Sequence, residues 1–201
     1  MISQVSTEQS PITTSEQDVI LPGWYSWQQF KALEAVMEEV SGVRICYLDG
    51  CVELMTLSEN HEMIKSIISL LLGLYFLHKK IEFIPVGSAT RSDQMKAVSF
   101  EPDESYYIGE KKEHPDLAIE IIISSGNFNK LEKYQRFQIQ EVWFWRNDQL
   151  SIYRLNNENY EEISHSQLLP ELDIDLFVNC VKMPSKLEAM TTFLQNLTKI
   201  D

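Results

Sequence analysis

Residues 117–123 read Leu-Ala-Ile-Glu-Ile-Ile-Ile, an apolar run broken once, by Glu120. Side chains alternate between the two faces of a strand, so a run apolar at nearly every position needs cover on both faces. That is the situation of a central strand in a helix-flanked sheet. A carboxylate buried in such a strand is costly unless it is paired or coordinates a cation. Glu120 is therefore either ion-paired to a nearby Lys, or placed in a strand less buried than its neighbours imply, or part of a metal site.

The segments around this strand carry local signals of their own. Ser26 followed by Gln29 is a capping-box pattern, and Phe30, Leu33, Val36, Met37 and Val40 form a helical stripe that Gly42 would stop. Asp49-Gly50 separates two strand-like runs, 44–48 and 51–56, and is a strong hairpin signal. Ser58 can cap a longer helix through Lys79, whose Met63, Ile64, Ile67, Ile68, Leu71, Leu74 and Tyr75 cover a broad apolar face. Strands are expected at 81–86, 105–108, 117–123 and 142–145, with 149–155 pairing back across Asn147-Asp148. A short helix is expected at 130–138 and a final one at 184–197. The core order is helix, strand, strand, strand, helix, strand, preceded by a helix and a hairpin. This predicts an α/β fold, with a mobile polar tail over residues 1–20 and a single domain over 21–201.

Composition narrows the function classes. The 201 residues include 30 acidic and 17 basic ones, for a net charge of −13. Such a surface repels polyanions at long range and counts against a non-specific nucleic-acid coat. DNA would need a local basic groove, for which Arg91, Lys96, Lys111, Lys112 and Lys130 are the candidates. Cys46, Cys51 and Cys180 are odd in number and lack C-x-x-C spacing, which argues for reduced thiols and against a zinc site. The apolar stretch 67–77 is interrupted by Ser69 and Gly73 and is too short to span a bilayer, so no membrane partner is expected. The first 20 residues contain no Lys or Arg, as expected for a cytoplasmic protein without a secretory signal.

A second acidic cluster, Glu101-Pro102-Asp103-Glu104, opens the strand before the apolar one. Pro-Asp is common turn chemistry, but adjacent strands can bring Asp103 beside Glu120, within reach of one divalent cation. Hard cations such as Mg²⁺ take carboxylate oxygens at about 2.1 Å and keep several waters. Lys130 and Lys133 open the next helix, whose N-terminus with Asn127 and Asn129 would favour a phosphate, although lysines on a short helix commonly just face water. Asp116 shares a strand face with Glu120 but lies about 13 Å along it, too far to share an ion, so Asp103 is preferred. Glu53 alternates with Val52 and Leu54 as a solvent-facing residue would, and His61 reads as a cap or surface residue at a helix start. Trp24, Trp27, Trp143 and Trp145 read as core.

Several of these segments together resemble the Uma-type restriction endonucleases, a former domain of unknown function within the PD-(D/E)XK nuclease superfamily. They are Glu101-Pro102-Asp103, Pro115-Asp116-Leu117-Ala118-Ile119-Glu120-Ile121, Lys130 with Tyr134, and Glu141-Val142-Trp143. Tyr47-Leu48-Asp49-Gly50 with Glu53, Met55 and His61 adds the family's hairpin and first core helix, so the resemblance covers roughly residues 22–180. It implies a restriction-endonuclease-like αβββαβ core with a central mixed sheet. It also implies a Mg²⁺- or Mn²⁺-dependent DNA endonuclease with Asp103 and Glu120 as metal carboxylates and Lys130 as catalytic lysine. Duplex cleavage would call for two sites, and hence a homodimer. Three positions depart from the family pattern. Ile122 stands where the superfamily's E-x-K lysine would be, Asn129 where relatives carry an acid, and Thr56-Leu57 where they carry Ser-Pro. The alternative from another class is a non-catalytic nuclease-fold interaction module; a hydrolase of smaller phosphorylated substrates is a third.

Overall fold

Cap chemistry and the Asp-Gly turn fix the first third of the chain. In the computed structural model, which describes residues 16–123 and 130–198, a short strand β1 (Asp18–Ile20) leads to α1 (Trp27–Met37). Ser26 and Gln29 close a capping box on α1. Strands β2 (Val43–Leu48) and β3 (Cys51–Thr56) form the hairpin, with Leu48 opposite Cys51. Gly50 has φ +88°, a conformation that suits glycine in this turn. A Cβ there would also come within 2.0 Å of the Trp24 indole Nε1. Helix α2 (Glu59–Lys79) starts at Ser58, whose hydroxyl accepts from His61 N–H, and ends at Lys80 in the left-handed region.

The rest of the chain alternates short strands with three further helices. It runs through β4 (Phe83–Pro85), β5 (Arg91–Asp93), β6 (Val98–Phe100), β7 (Glu104–Ile108) and β8 (Leu117–Ile122). After α3 (Lys130–Gln135) come β9 (Glu141–Arg146), β10 (Gln149–Asn156), β11 (Asn159–Ile163), α4 (Ile174–Lys182) and α5 (Lys186–Leu197). Two sheets result. The larger has the order β11-β10-β9-β8-β7-β4, with β8 and β9 parallel and its other neighbours antiparallel. The smaller has the order β1-β3-β2-β6-β5. The expected order α2, β4, β7, β8, α3, β9 is present, and the larger sheet is mixed, as a restriction-endonuclease-like α/β fold requires.

β8 is central and covered on both faces, as its composition demands. Leu117, Ile119 and Ile121 enter the main core with Ile68, Leu71 and Tyr75 of α2, Phe177 of α4 and Phe193 of α5. Each such side chain contributes roughly 1.5–3 kcal/mol by leaving water. Ala118, on the opposite face, joins a second cluster with Leu48, Val98, Phe100, Tyr134 and Phe137. Strand alternation puts Glu120 on this second face, between the two sheets and under α3. The third cluster packs Phe30 of α1 on Tyr47 and Val52.

Several elements differ from expectation. Residues 18–20, assigned to the tail, pair with β3. The hairpin grows into a five-stranded sheet through β5 and β6, three-residue strands too short to carry an alternation signal. β11 and α4 are additional, α1 stops at Met37, and α3 stops at Gln135. Trp143 and Trp145 are core residues and Trp27 packs edge-on against Tyr47, but Trp24 is 71% exposed and lies over Gly50. The three cysteines are free, and Cys46 faces Glu53 across the hairpin, not Cys51. Among the described residues no helix is long and apolar enough to cross a membrane.

Candidate functional site

The second face of β8 and the inner face of the hairpin enclose a cavity of about 20 Å³, lined by Arg44, Cys46, Glu53, Glu120, Lys130 and Lys133 among others. That is room for one water molecule or ion. Glu120 is 1% exposed. Its Oε1 lies 2.8 Å from Lys133 Nζ and accepts a hydrogen bond from the Tyr134 hydroxyl. The ion-paired alternative for Glu120 is thus realised, with Lys133 as partner. Lys130, the lysine singled out by the sequence, lines the same cavity from one turn earlier. Neither lysine faces water as short-helix lysines commonly do; both are buried. Residues 130, 133 and 134 share one face of α3 by helical spacing, which aims all three at β8.

Charge is concentrated here at low exposure. Burial works against the Lys133 ammonium, but the neighbouring Glu120 carboxylate outweighs it and raises its pKa. The cation also sits 4.7 Å from the Phe100 ring centroid. Burial, then the negative Glu120, push the Tyr134 hydroxyl well above its ordinary value, so it stays protonated as a donor. Burial raises the Cys46 thiol to about 12, which excludes a thiolate nucleophile at neutral pH.

Asp103 sits one residue before β7, opposite Glu120 by extension of the register that pairs Glu104 with Ile119. The two acids thus lie on adjacent strands, but Asp103 is not among the residues that line the Glu120 cavity and has different company. Its Oδ2 accepts from Ile121 N–H at 2.7 Å, and its Oδ1 meets the Arg44 guanidinium and lies 2.9 Å from His61 Nε2. Burial alone would raise its pKa; the His61 contact, the Arg44 charge and the Ile121 amide together hold it below the ordinary value.

Two expectations are corrected. His61 is not a surface residue: it is 0% exposed, with Nδ1 3.2 Å from Glu16 Oε1 and Nε2 on Asp103. Burial opposes its charge, but the Asp103 and Glu16 contacts prevail and raise its pKa to about 9. Glu53 is not solvent-facing: it is 7% exposed, because α1 covers one face of β3 and α3 with β8 covers the other. Burial raises its pKa, with the Lys130 charge opposing. Its Oε1 has no hydrogen-bond partner among the described residues. Alternation of Val52, Glu53 and Leu54 could not reveal this, since a strand with two covered faces has no polar side.

The remaining candidates go elsewhere. Asp116 accepts from Ile108 N–H and Gln140, and pairs with Lys112 at 2.7 Å. Lys96 lies over the Phe137 ring. Of the five cations considered for a basic groove, Lys130 is the one that lines the cavity. Asn127 and Asn129 lie outside the described residues.

A comparison with curated proteins returned no match. A family profile does match: that of Uma2, described as "Putative restriction endonuclease", over residues 27–183. The matched stretch runs from α1 to the end of α4 and contains every residue that lines the Glu120 cavity. The chain belongs to the Uma2 family of putative restriction endonucleases.

Proposed function

We propose that the protein is a Mg²⁺- or Mn²⁺-dependent endonuclease that hydrolyses DNA phosphodiester bonds, with Asp103, Glu120 and Lys130 as its functional groups. The observation that carries this is the convergence of one central-strand carboxylate and two buried lysines on a cavity sized for a single ion. Family membership supports the nuclease class.

The donor set fits a hard divalent cation. It offers carboxylate oxygens around a small polar cavity, one of them buried without a partner among the described residues. No group of three His, Cys, Asp or Glu side chains among the described residues is arranged to hold a metal. One or two carboxylates completed by water and substrate oxygens would therefore make up the shell, the usual habit of Mg²⁺. Bound there, a divalent cation supplies a more acidic water and neutralises charge on the phosphodiester.

The chain's own groups do the positioning. Lys133 and Tyr134 hold the Glu120 carboxylate in one orientation inside the fold. Asp103 braces the same strand through the Ile121 amide while Arg44 and His61 fix the Asp103 carboxylate in turn. Lys130 takes a scissile phosphate oxygen and stabilises charge that builds up in the transition state. Scission of both strands requires two such sites, so the active form is a homodimer.

The net charge of −13 favours a second reading, a non-catalytic nuclease-fold interaction module. Cleavage of supercoiled plasmid with Mg²⁺ or Mn²⁺ separates the two. The endonuclease nicks the plasmid, stops in excess chelator and loses activity in Asp103→Asn and Lys130→Ala. Intact plasmid under all conditions, with no rise in melting temperature on adding metal, favours the interaction module.

A further inference from the structure

Three carboxylates line the cavity, and Asp103 is not among them: Glu120 from β8 and Glu53 from β3 face each other from opposite sheets, while Glu101 is partly exposed and paired with Arg44. Their partners differ in a way that bears on which oxygens are free. Both oxygens of Asp103 are occupied, by the Ile121 amide on one side and by Arg44 and His61 on the other. To ligate through Oδ1, Asp103 would have to release a cation that already compensates it. Glu53 needs no such exchange. Its side chain is more than nine-tenths buried, it lines the ion-sized cavity, and its Oε1 has no hydrogen-bond partner among the described residues. A buried carboxylate oxygen left without a donor or cation is costly.

Apolar replacement would suit the site better if packing were the only demand. Glu53 stands between Ile20 of β1 and Cys46 of β2 in register, and an apolar residue would extend the neighbouring cluster at no electrostatic cost. A carboxylate is the side chain that suits a cation instead. Charge balance agrees: Glu53, Glu101 and Glu120 are opposed by Arg44, Lys130 and Lys133 within the cavity lining. The protein side of the site is then neutral, and one divalent cation would leave it positive toward a phosphodiester.

We propose that Glu53 is a ligand of the divalent cation, sharing it with Glu120 across the two sheets. The hairpin thereby becomes part of the metal centre, and cation binding clamps the small sheet onto the large one. The proposal rests on the reading of the Glu120 cavity as a divalent-cation site, and adds Glu53 to it.

The test is a titration of Mn²⁺ into the full-length protein, followed through the loss of the free-ion electron paramagnetic resonance signal. Wild type, Glu53→Gln, Glu53→Asp, Glu120→Gln and the exposed-surface control Glu110→Gln are compared. Glu53→Gln is expected to weaken Mn²⁺ binding at least tenfold, Glu120→Gln likewise, and Glu110→Gln less than twofold. The metal-free melting temperature of Glu53→Gln should match or exceed that of wild type, because a neutral amide is easier to bury. Should the Gln variant fail to fold, Glu53→Asp decides: it keeps the charge but draws the oxygens back, and a fivefold or greater loss supports ligation. Wild-type Mn²⁺ affinity in the folded Glu53 variant, with binding lost in Glu120→Gln, overturns the role of Glu53 and leaves the cation site standing. Absence of Mn²⁺ binding by wild type overturns both.

Discussion

Glu141 and Glu120 occupy neighbouring parallel strands, both within 1% of full burial, yet the fold treats them differently. Glu141 is saturated. Its Oε1 accepts from the amides of Gln167 and Leu168 and from Arg154, while its Oε2 accepts from Trp143 Nε1 and the Ser166 hydroxyl. These donors stitch β9 to the segment before α4, and leave no oxygen for a ligand. Around Glu120 the donors among the described residues are Lys133 and the Tyr134 hydroxyl, set beside a cavity that Glu53 and Glu101 also line. Glu141 is enclosed by donors from several segments, whereas Glu120 keeps a cation partner with open space beside it.

Substitutions can break this contrast or sharpen it. The largest stability loss belongs to Glu141→Gln, which leaves several buried donors without an acceptor. It should cost about 3–5 kcal/mol, read as a drop of roughly 10 °C in melting temperature. A drop of only a degree or two would show that Glu141 is no more structural than Glu120. Lys133→Met comes next, removing the cation at Glu120 while keeping the apolar bulk over Phe100. A loss of about 2–3 kcal/mol is expected in chemical denaturation, with Lys130 limiting the damage. An unchanged denaturation midpoint would mean that Glu120 does not depend on that pair.

The His61–Asp103 contact gives a pH signature on the same scale. The fold raises the His61 pKa from 6.5 to about 9, so its contribution is complete below pH 6.5 and is lost as pH rises through about 9. At the acid end the lowered Asp103 pKa works in the opposite sense: its contribution is present above pH 3.8 and lost as pH falls below that. Stability should therefore decline between pH 6.5 and 9 by on the order of 2 kcal/mol, and His61→Phe should flatten that limb. A decline that persists unchanged in His61→Phe would assign it to other groups. The smallest effect is that of Glu53→Gln on the metal-free protein, within about 1 kcal/mol of wild type and of favourable sign.

Much of this contrast is legible in the amino-acid sequence, and the part that is not has a physical cause. The capping box at Ser26, the Asp49-Gly50 turn, the Ser58 cap and the β8 run act through neighbours in the chain, and all four appear where local chemistry puts them. Glu120 stands out because its cost is visible against six apolar neighbours. Glu53 and His61 do not, since their burial depends on elements distant in sequence: α1 and α3 over β3, and Glu16 and Asp103 around the imidazole. Lys133 is within reach of sequence reasoning, because helical spacing puts it on the face of Lys130 and Tyr134. α4 also carries a signal, the Asp173 cap before Ile174, Phe177, Val178 and Val181. The second sheet is not legible, because β5 and β6 are three residues each and gain their order from pairing, β6 with β2 and β5 with β6.

Cleavage of a duplex by Glu120→Gln, at a temperature where its circular dichroism spectrum matches wild type, tests the central claim most directly. With Mg²⁺ at saturation and enzyme in excess over DNA, the single-turnover rate should fall by about 100-fold or more, the order of effect expected for loss of an essential electrostatic group. A Glu120→Gln rate within threefold of an active wild type would place the chemistry elsewhere in the molecule.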